Sequence, residues 1–64
     1  MKELRSKYDL SQSDLAELLG TYQPNVSAYE HGKRTPPPTV REAFRMLTFI
    51  AAKGLLQEFL LSRQ

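Results

Sequence analysis

Chemistry in this chain is concentrated in amides and cations. Gln12, Gln23, Asn25, Lys33 and Arg34 can make hydrogen bonds and neutralise negative charge, but they are poor tools for breaking a covalent bond. The groups that do such work are scarce. There is no cysteine, which excludes a thiolate nucleophile, a disulfide and a thiolate metal site. The single histidine, His31, cannot hold a metal alone, and no carboxylate stands at a spacing that suggests a partner for it. Asp9, Asp14 and Glu17 read as turn, cap and surface charges. No glycine-rich phosphate loop occurs, so neither an enzyme nor a cofactor is expected. By residue type alone, Gln23 and Asn25 could equally be solvated side chains, and Lys33-Arg34 a solvated loop. The deciding question is whether the elements around them gather these residues on one face.

With 64 residues there is room for one domain, over 1–64, and one modest core. A hydrophobic fraction of 41% and a charged fraction of 25% place the chain with folded proteins, not disordered ones. So small a core has little stability to spare, and without disulfides or a metal the expected supplement is a partner chain. A net charge of +2 favours an anionic partner only weakly. The stretch Met46–Ala52 is far too short to span a bilayer, and Met1–Arg5 lacks the apolar run of a signal peptide. A cytoplasmic setting away from membranes is the expectation.

Start and stop signals predict helices throughout, with no alternation typical of strands. A short first helix runs from about Lys2 to Tyr8. Ser11-Gln12-Ser13-Asp14 reads as a capping box that opens a second helix carrying Leu15, Ala16, Leu18 and Leu19 and ending at Gly20. A third spans Gln23 to Glu30, with Val26 and Tyr29 inward; Pro24 is tolerated because a first turn has few backbone bonds to lose. Tyr22 caps poorly, so Thr21 is an alternative cap. Lys33 to Pro38 forms a stiff exposed connector. Thr39-Val40-Arg41-Glu42 reads as a second capping box, opening a helical tail to about Ser62 whose one weak point is Gly54. The expected architecture is a compact all-α bundle of about five short helices. Its second and third helices, about 11–31, have the geometry of a helix-turn-helix.

Between Arg5 and Leu47 the sequence resembles a known family. Leu10-Ser11-Gln12-Ser13-Asp14-Leu15-Ala16-Glu17-Leu18-Leu19-Gly20 is similar to the "L-S-Q-x-x-L-A-x-x-L-G" signature of Cro/C1 (XRE) helix-turn-helix proteins. Val26-Ser27-Ala28-Tyr29-Glu30-His31-Gly32-Lys33-Arg34 follows as its "V-S-x-Y-E-x-G-x-R" continuation. The resemblance implies a lambda-repressor-like fold and a dimeric regulator, most often a repressor of phage, restriction-control or antitoxin type, on a palindromic double-stranded operator. It also implies a bacterial or phage origin. On that basis Gln23, Asn25, Ser27 and Ala28 would read bases, while Gln12, Tyr22, His31, Lys33 and Arg34 would contact phosphate. Arg5 is expected to pair with Glu30 across the domain. Pro24 departs from relatives that place a base-reading side chain there, and the fourth helix is longer than usual. The competing reading is a protein-interaction module with DNA binding secondary.

The tail poses a burial problem. Val40, Ala43, Phe44, Leu47, Ile50, Ala51 and Leu55 form one stripe at helical spacing, suited to the domain's own core. Met46, Phe49, Leu56 and Leu60 form another. A monomer cannot bury both, so the tail, about 39–62, is expected to dimerise through Phe49, Leu56, Phe59 and Leu60. The alternative is that Gly54 breaks the helix and the tail folds back.

Overall fold

The computed structural model describes residues 1–63 and contains five helices: α1 (Lys2–Lys7), α2 (Gln12–Leu19), α3 (Gln23–Glu30), α4 (Pro38–Ala52) and α5 (Leu56–Ser62). No strand occurs among the described residues. The capping box forms at α2. The Asp14 N–H donates to Ser11 Oγ at 3.0 Å, and the Ser11 N–H donates back to Asp14 Oδ2 at 3.0 Å. Two donors that the helix itself cannot satisfy are thereby paired.

Gly20 ends α2 in the left-handed conformation, φ 73°. The turn lets the Thr21 N–H reach the Ala16 carbonyl at 2.9 Å and the Gly20 N–H reach that of Glu17 at 3.2 Å. The same pair of bonds closes α1, where Asp9 takes the left-handed position at φ 55° and the Leu10 N–H bonds the Arg5 carbonyl at 2.8 Å. Aspartate is among the few non-glycine residues that visit this region. Between α2 and α3 only Gly20, Thr21 and Tyr22 remain, which fixes the two helices as a tight angular pair.

The Thr39 capping box does not form. α4 starts two residues earlier than that box implies, at Pro38, with Pro37 as its cap residue and no side-chain cap. Proline's fixed φ and missing N–H suit a first turn, so the proline run sets the start. Glu42, freed from capping, instead accepts from Arg45 at 2.9 Å. Nor does Thr21 cap α3: Tyr22 is the cap residue, without a side-chain bond. Pro24 has already removed one donor from that turn, and the Asn25 N–H donates to the Tyr22 carbonyl at 3.0 Å.

The core gathers Leu15, Ala16 and Leu19 from α2, Val26 from α3, Val40 and Leu47 from α4, and Leu56 from α5, none more than 6% exposed. Leu4 of α1 and Tyr8, the residue that ends it, pack on the rim of this core. Burial of Leu56 corrects the expectation for the tail. At Gly54 (φ 74°) the chain turns, the Leu55 N–H bonds the Ile50 carbonyl at 3.0 Å, and α5 folds back onto the domain. Leu56 is 0% exposed and has no surface left for a second chain, so it is a core residue and not a dimer contact. Leu60 likewise packs against the domain's own core. Leu55, expected inside, is 51% exposed because the turn rotates it outward. Met46 and Phe49 stay on the surface, at 61% and 63% exposure.

Leu56→Ala should therefore cost about 3 kcal/mol, as the loss of a fully buried leucine with its cavity does. Urea denaturation checks this; an unchanged midpoint would mean that α5 is not part of the cooperative core.

Candidate nucleic-acid interface

Sequence order already separates the polar residues of α3 into two flanks. At about 100° per residue, Gln23 and Asn25 lie about 200° apart around the helix. Val26 occupies the buried face between them, and Pro24, Ala28 and His31 lie on the outward side. Each flank carries its own hydrogen-bond network.

The first network begins with Arg5 of α1. Its Nε donates to Glu30 Oε2 at 2.7 Å and its Nη2 to Oε1 at 2.9 Å, while Nη1 donates to the Leu10 carbonyl at 3.1 Å. The expected ion pair is thus present in a forked, two-bond form. The Glu30 side chain is only 4% exposed and that of Arg5 16%. The Arg5 hydrogen bonds hold the Glu30 carboxyl below its ordinary value, outweighing burial, which acts the other way; Gln12 adds to the lowering. The pair raises the Arg5 guanidinium in turn.

From Glu30 the network continues outward. Gln12 Nε2 donates to Glu30 Oε1 at 3.0 Å, and Gln23 Nε2 donates to Gln12 Oε1 at 2.7 Å. The direction of these bonds is dictated by chemistry. A guanidinium only donates and a carboxylate only accepts, so Gln12 must turn its N–H₂ to Glu30 and its oxygen to Gln23. Gln23 must then spend one amide hydrogen on Gln12. It keeps the other hydrogen and its own carbonyl for solvent, where the residue is exposed.

The second network joins Thr21, Asn25 and Arg34. Asn25 Nδ2 donates to Thr21 Oγ1 at 2.9 Å, and Arg34 Nη1 donates to Asn25 Oδ1 at 3.0 Å. His31 Nδ1 lies 2.7 Å from the Ser27 carbonyl; since a carbonyl only accepts, Nδ1 carries the hydrogen. Ser27 and Ala28 are half-buried. Lys33 and Arg34 are exposed just beyond Gly32, and Tyr22 projects from the turn at 77% exposure.

Of the residues singled out by sequence, Arg5, Glu30, Gln12 and Gln23 therefore share one network, Asn25 and Arg34 belong to the other, and Tyr22, Ser27, Ala28, His31 and Lys33 join neither. Sequence reasoning missed the role of Gln12 as a bridge and of Thr21 as an acceptor. Only the Arg5–Glu30 link carried a family signal, and the other contacts depend on how the turn folds. At the α2 start, Asp14 is held low by its bonds with Ser11, backbone first.

A family model described as helix-turn-helix matches residues 1–46. Comparison with curated proteins and with solved structures returned no match.

Arg5→Ala should destabilise the domain by about 2–3 kcal/mol, somewhat less than the ~3–5 kcal/mol of a fully buried pair because Arg5 keeps some solvent contact. The pH dependence has a definite sign. Glu30 titrates lower when folded, so the unfolded chain binds more protons in acid. The pair's contribution is complete above the ordinary glutamate value of 4.5 and disappears as pH falls through the lowered native one. Asp14 acts in the same direction in both proteins, so the difference between wild type and variant isolates the pair. Urea midpoints should differ most near neutrality and converge in acid; a constant gap would contradict the assignment.

Proposed function

The chain belongs to the helix-turn-helix family, of the Cro/C1 type, and from that premise we propose that it is a sequence-specific repressor that binds a palindromic double-stranded operator as a homodimer. The family is a DNA-binding regulatory one and not an enzyme family. The observation that carries the proposal is the orientation of Gln23. One free amide hydrogen beside a free carbonyl, on the first residue of α3, is the pair that complements N7 and the N6 amino group of adenine in the major groove. Recognition helices read bases with their N-terminal residues, which is where Gln23 stands. Ala28 and Ser27, farther along α3, meet the same groove floor, with Ala28 suited to a thymine methyl.

Affinity comes from the flanks. Lys33 and Arg34 supply charge, and Tyr22 and the start of α2 at Gln12 supply hydrogen bonds to phosphate; His31, its Nδ1 hydrogen already on the Ser27 carbonyl, donates to a phosphate only from a protonated ring. The domain's longest dimension is 31 Å, less than the ~34 Å between half-sites one helical turn apart, so one copy reaches one half-site. A second copy is expected to dock on the apolar surface of α4. Met46, Phe49 and Ile50 with the Arg45 stem line a shallow depression there, and Phe59 on α5 is also exposed. Such a regulator works in the cytoplasm of a bacterial or phage-infected cell. The exposed Phe49 surface also favours a second reading, a protein-interaction module in which DNA is secondary.

Titration against a duplex selected by the wild type from a random pool, and against random DNA, separates the two readings. Gln23→Ala should cost about 1–3 kcal/mol on the selected site and almost nothing on random DNA. Lys33→Ala should weaken both and reduce the salt slope by about one unit per subunit. The expected stoichiometry is two subunits per selected duplex. Equal weakening of both duplexes by Gln23→Ala would favour the interaction module.

A further inference from the structure

The second network gives Asn25 a task different from that of Gln23. We propose that Asn25 is a positioning residue that fixes the Arg34 guanidinium beside α3, and that Arg34 so held is a clamp for a DNA phosphate; this rests on the DNA-binding reading above.

Donor and acceptor polarity points this way. To read adenine, an asparagine must present its oxygen and an amide hydrogen together on one side. Here a guanidinium, which only donates, claims Oδ1 at 3.0 Å, and Thr21 Oγ1 claims an Nδ2 hydrogen at 2.9 Å. The two functions of Asn25 face protein partners, and the residue is half-buried, whereas Gln23 is exposed. The path of the chain acts in the same direction. Gly32 turns left-handed at φ 71°, the Lys33 N–H bonds the Ala28 carbonyl at 2.9 Å, and the proline connector then stiffens the exit. Arg34 is thereby returned to the first half of α3, where it borders a shallow cleft with Asn25, Tyr29, Thr35 and Pro37.

What Arg34 retains decides its ligand. One Nη1 hydrogen is used, while Nη2 and Nε keep theirs, so the planar fork remains open to an anion with two oxygens. It lies next to Lys33 in the exposed loop beyond the end of α3, whereas Gln23 stands at the helix start. Backbone phosphate lies beside a helix seated in the groove, and a guanidinium already fixed loses less rotamer freedom on binding. Thr21, Asn25 and Arg34 thus form a chain of positioning, with Arg34 alone touching DNA.

A double-mutant cycle tests this, with wild type, Asn25→Ala, Arg34→Ala and the double variant titrated on selected and random duplexes across salt. Melting temperatures confirm folding. Asn25→Ala should weaken both duplexes alike, by about threefold to tenfold, the effect of one net hydrogen bond. Arg34→Ala should flatten the salt slope by about 0.9 per subunit. On the Arg34→Ala background, Asn25→Ala should do nothing further. Arg34→Lys, at an exposed position, should also weaken both duplexes, because lysine keeps the charge but not the fork. Loss of binding to the selected duplex alone, additivity with Arg34→Ala, or a silent Arg34→Lys would each overturn the proposal. A wild type that binds no DNA would overturn the functional reading with it, an outcome distinct from a wild type that binds and a cycle that is additive.

Discussion

The forked bond between Arg5 and Glu30 fixes more than the distance between α1 and α3. Because one partner can only donate and the other only accept, it sets a direction that propagates through Gln12 to Gln23. An amide between two amides could adopt either orientation with nearly equal energy. Anchored on a carboxylate at one end, it has one. The consequence is that a charge pair on the inner side of α3 determines which functions Gln23 shows on the outer side. Rigid presentation of this kind reduces the entropy lost when a side chain meets a base edge. It also explains why a small protein with little core would retain an ion pair whose net stabilisation is modest: the pair specifies an arrangement.

Around this network the fold is economical. Helix ends are closed by backbone turns at Asp9, Gly20, Gly32 and Gly54, so few side chains are needed as caps, and polar residues of α3 are left for other bonds. The fold-back of α5 places Leu56 in the centre and completes a core that four helices would leave open. It leaves Met46 and Phe49 outside, on a face of α4 remote in purpose from α3. The exposed apolar surface and the polar networks of the turn therefore lie on different helices.

Much of this was legible in the sequence where the signal is local. The Ser11–Asp14 box, the Gly20 turn and the inward Val26 follow from spacing alone, and the family pattern pointed to Arg5 and Glu30. Legibility ended where two local signals competed or where the outcome depended on tertiary placement. Thr39–Glu42 has the pattern of a capping box, but Pro37 and Pro38 fix the backbone first. Leu56 fits an exposed stripe if the helix is continuous and the core if it turns at Gly54, and helical periodicity cannot tell these apart. Asn25 has the chemistry of a base reader, yet Thr21 and Arg34 become its partners only once the turn and the connector bring them to it.

The central claim is that the charge on Glu30 sets the orientation of Gln23. Glu30→Gln keeps the shape of the side chain but can donate as well as accept, so Gln12 and Gln23 lose their imposed direction. The most direct measurement is the ratio of affinities for the selected and random duplexes, taken at a temperature where circular dichroism shows the variant folded. The account predicts that the ratio falls by about fivefold or more, toward that of a protein lacking one base contact, while affinity for random DNA holds. An unchanged ratio in a folded Glu30→Gln variant would contradict it.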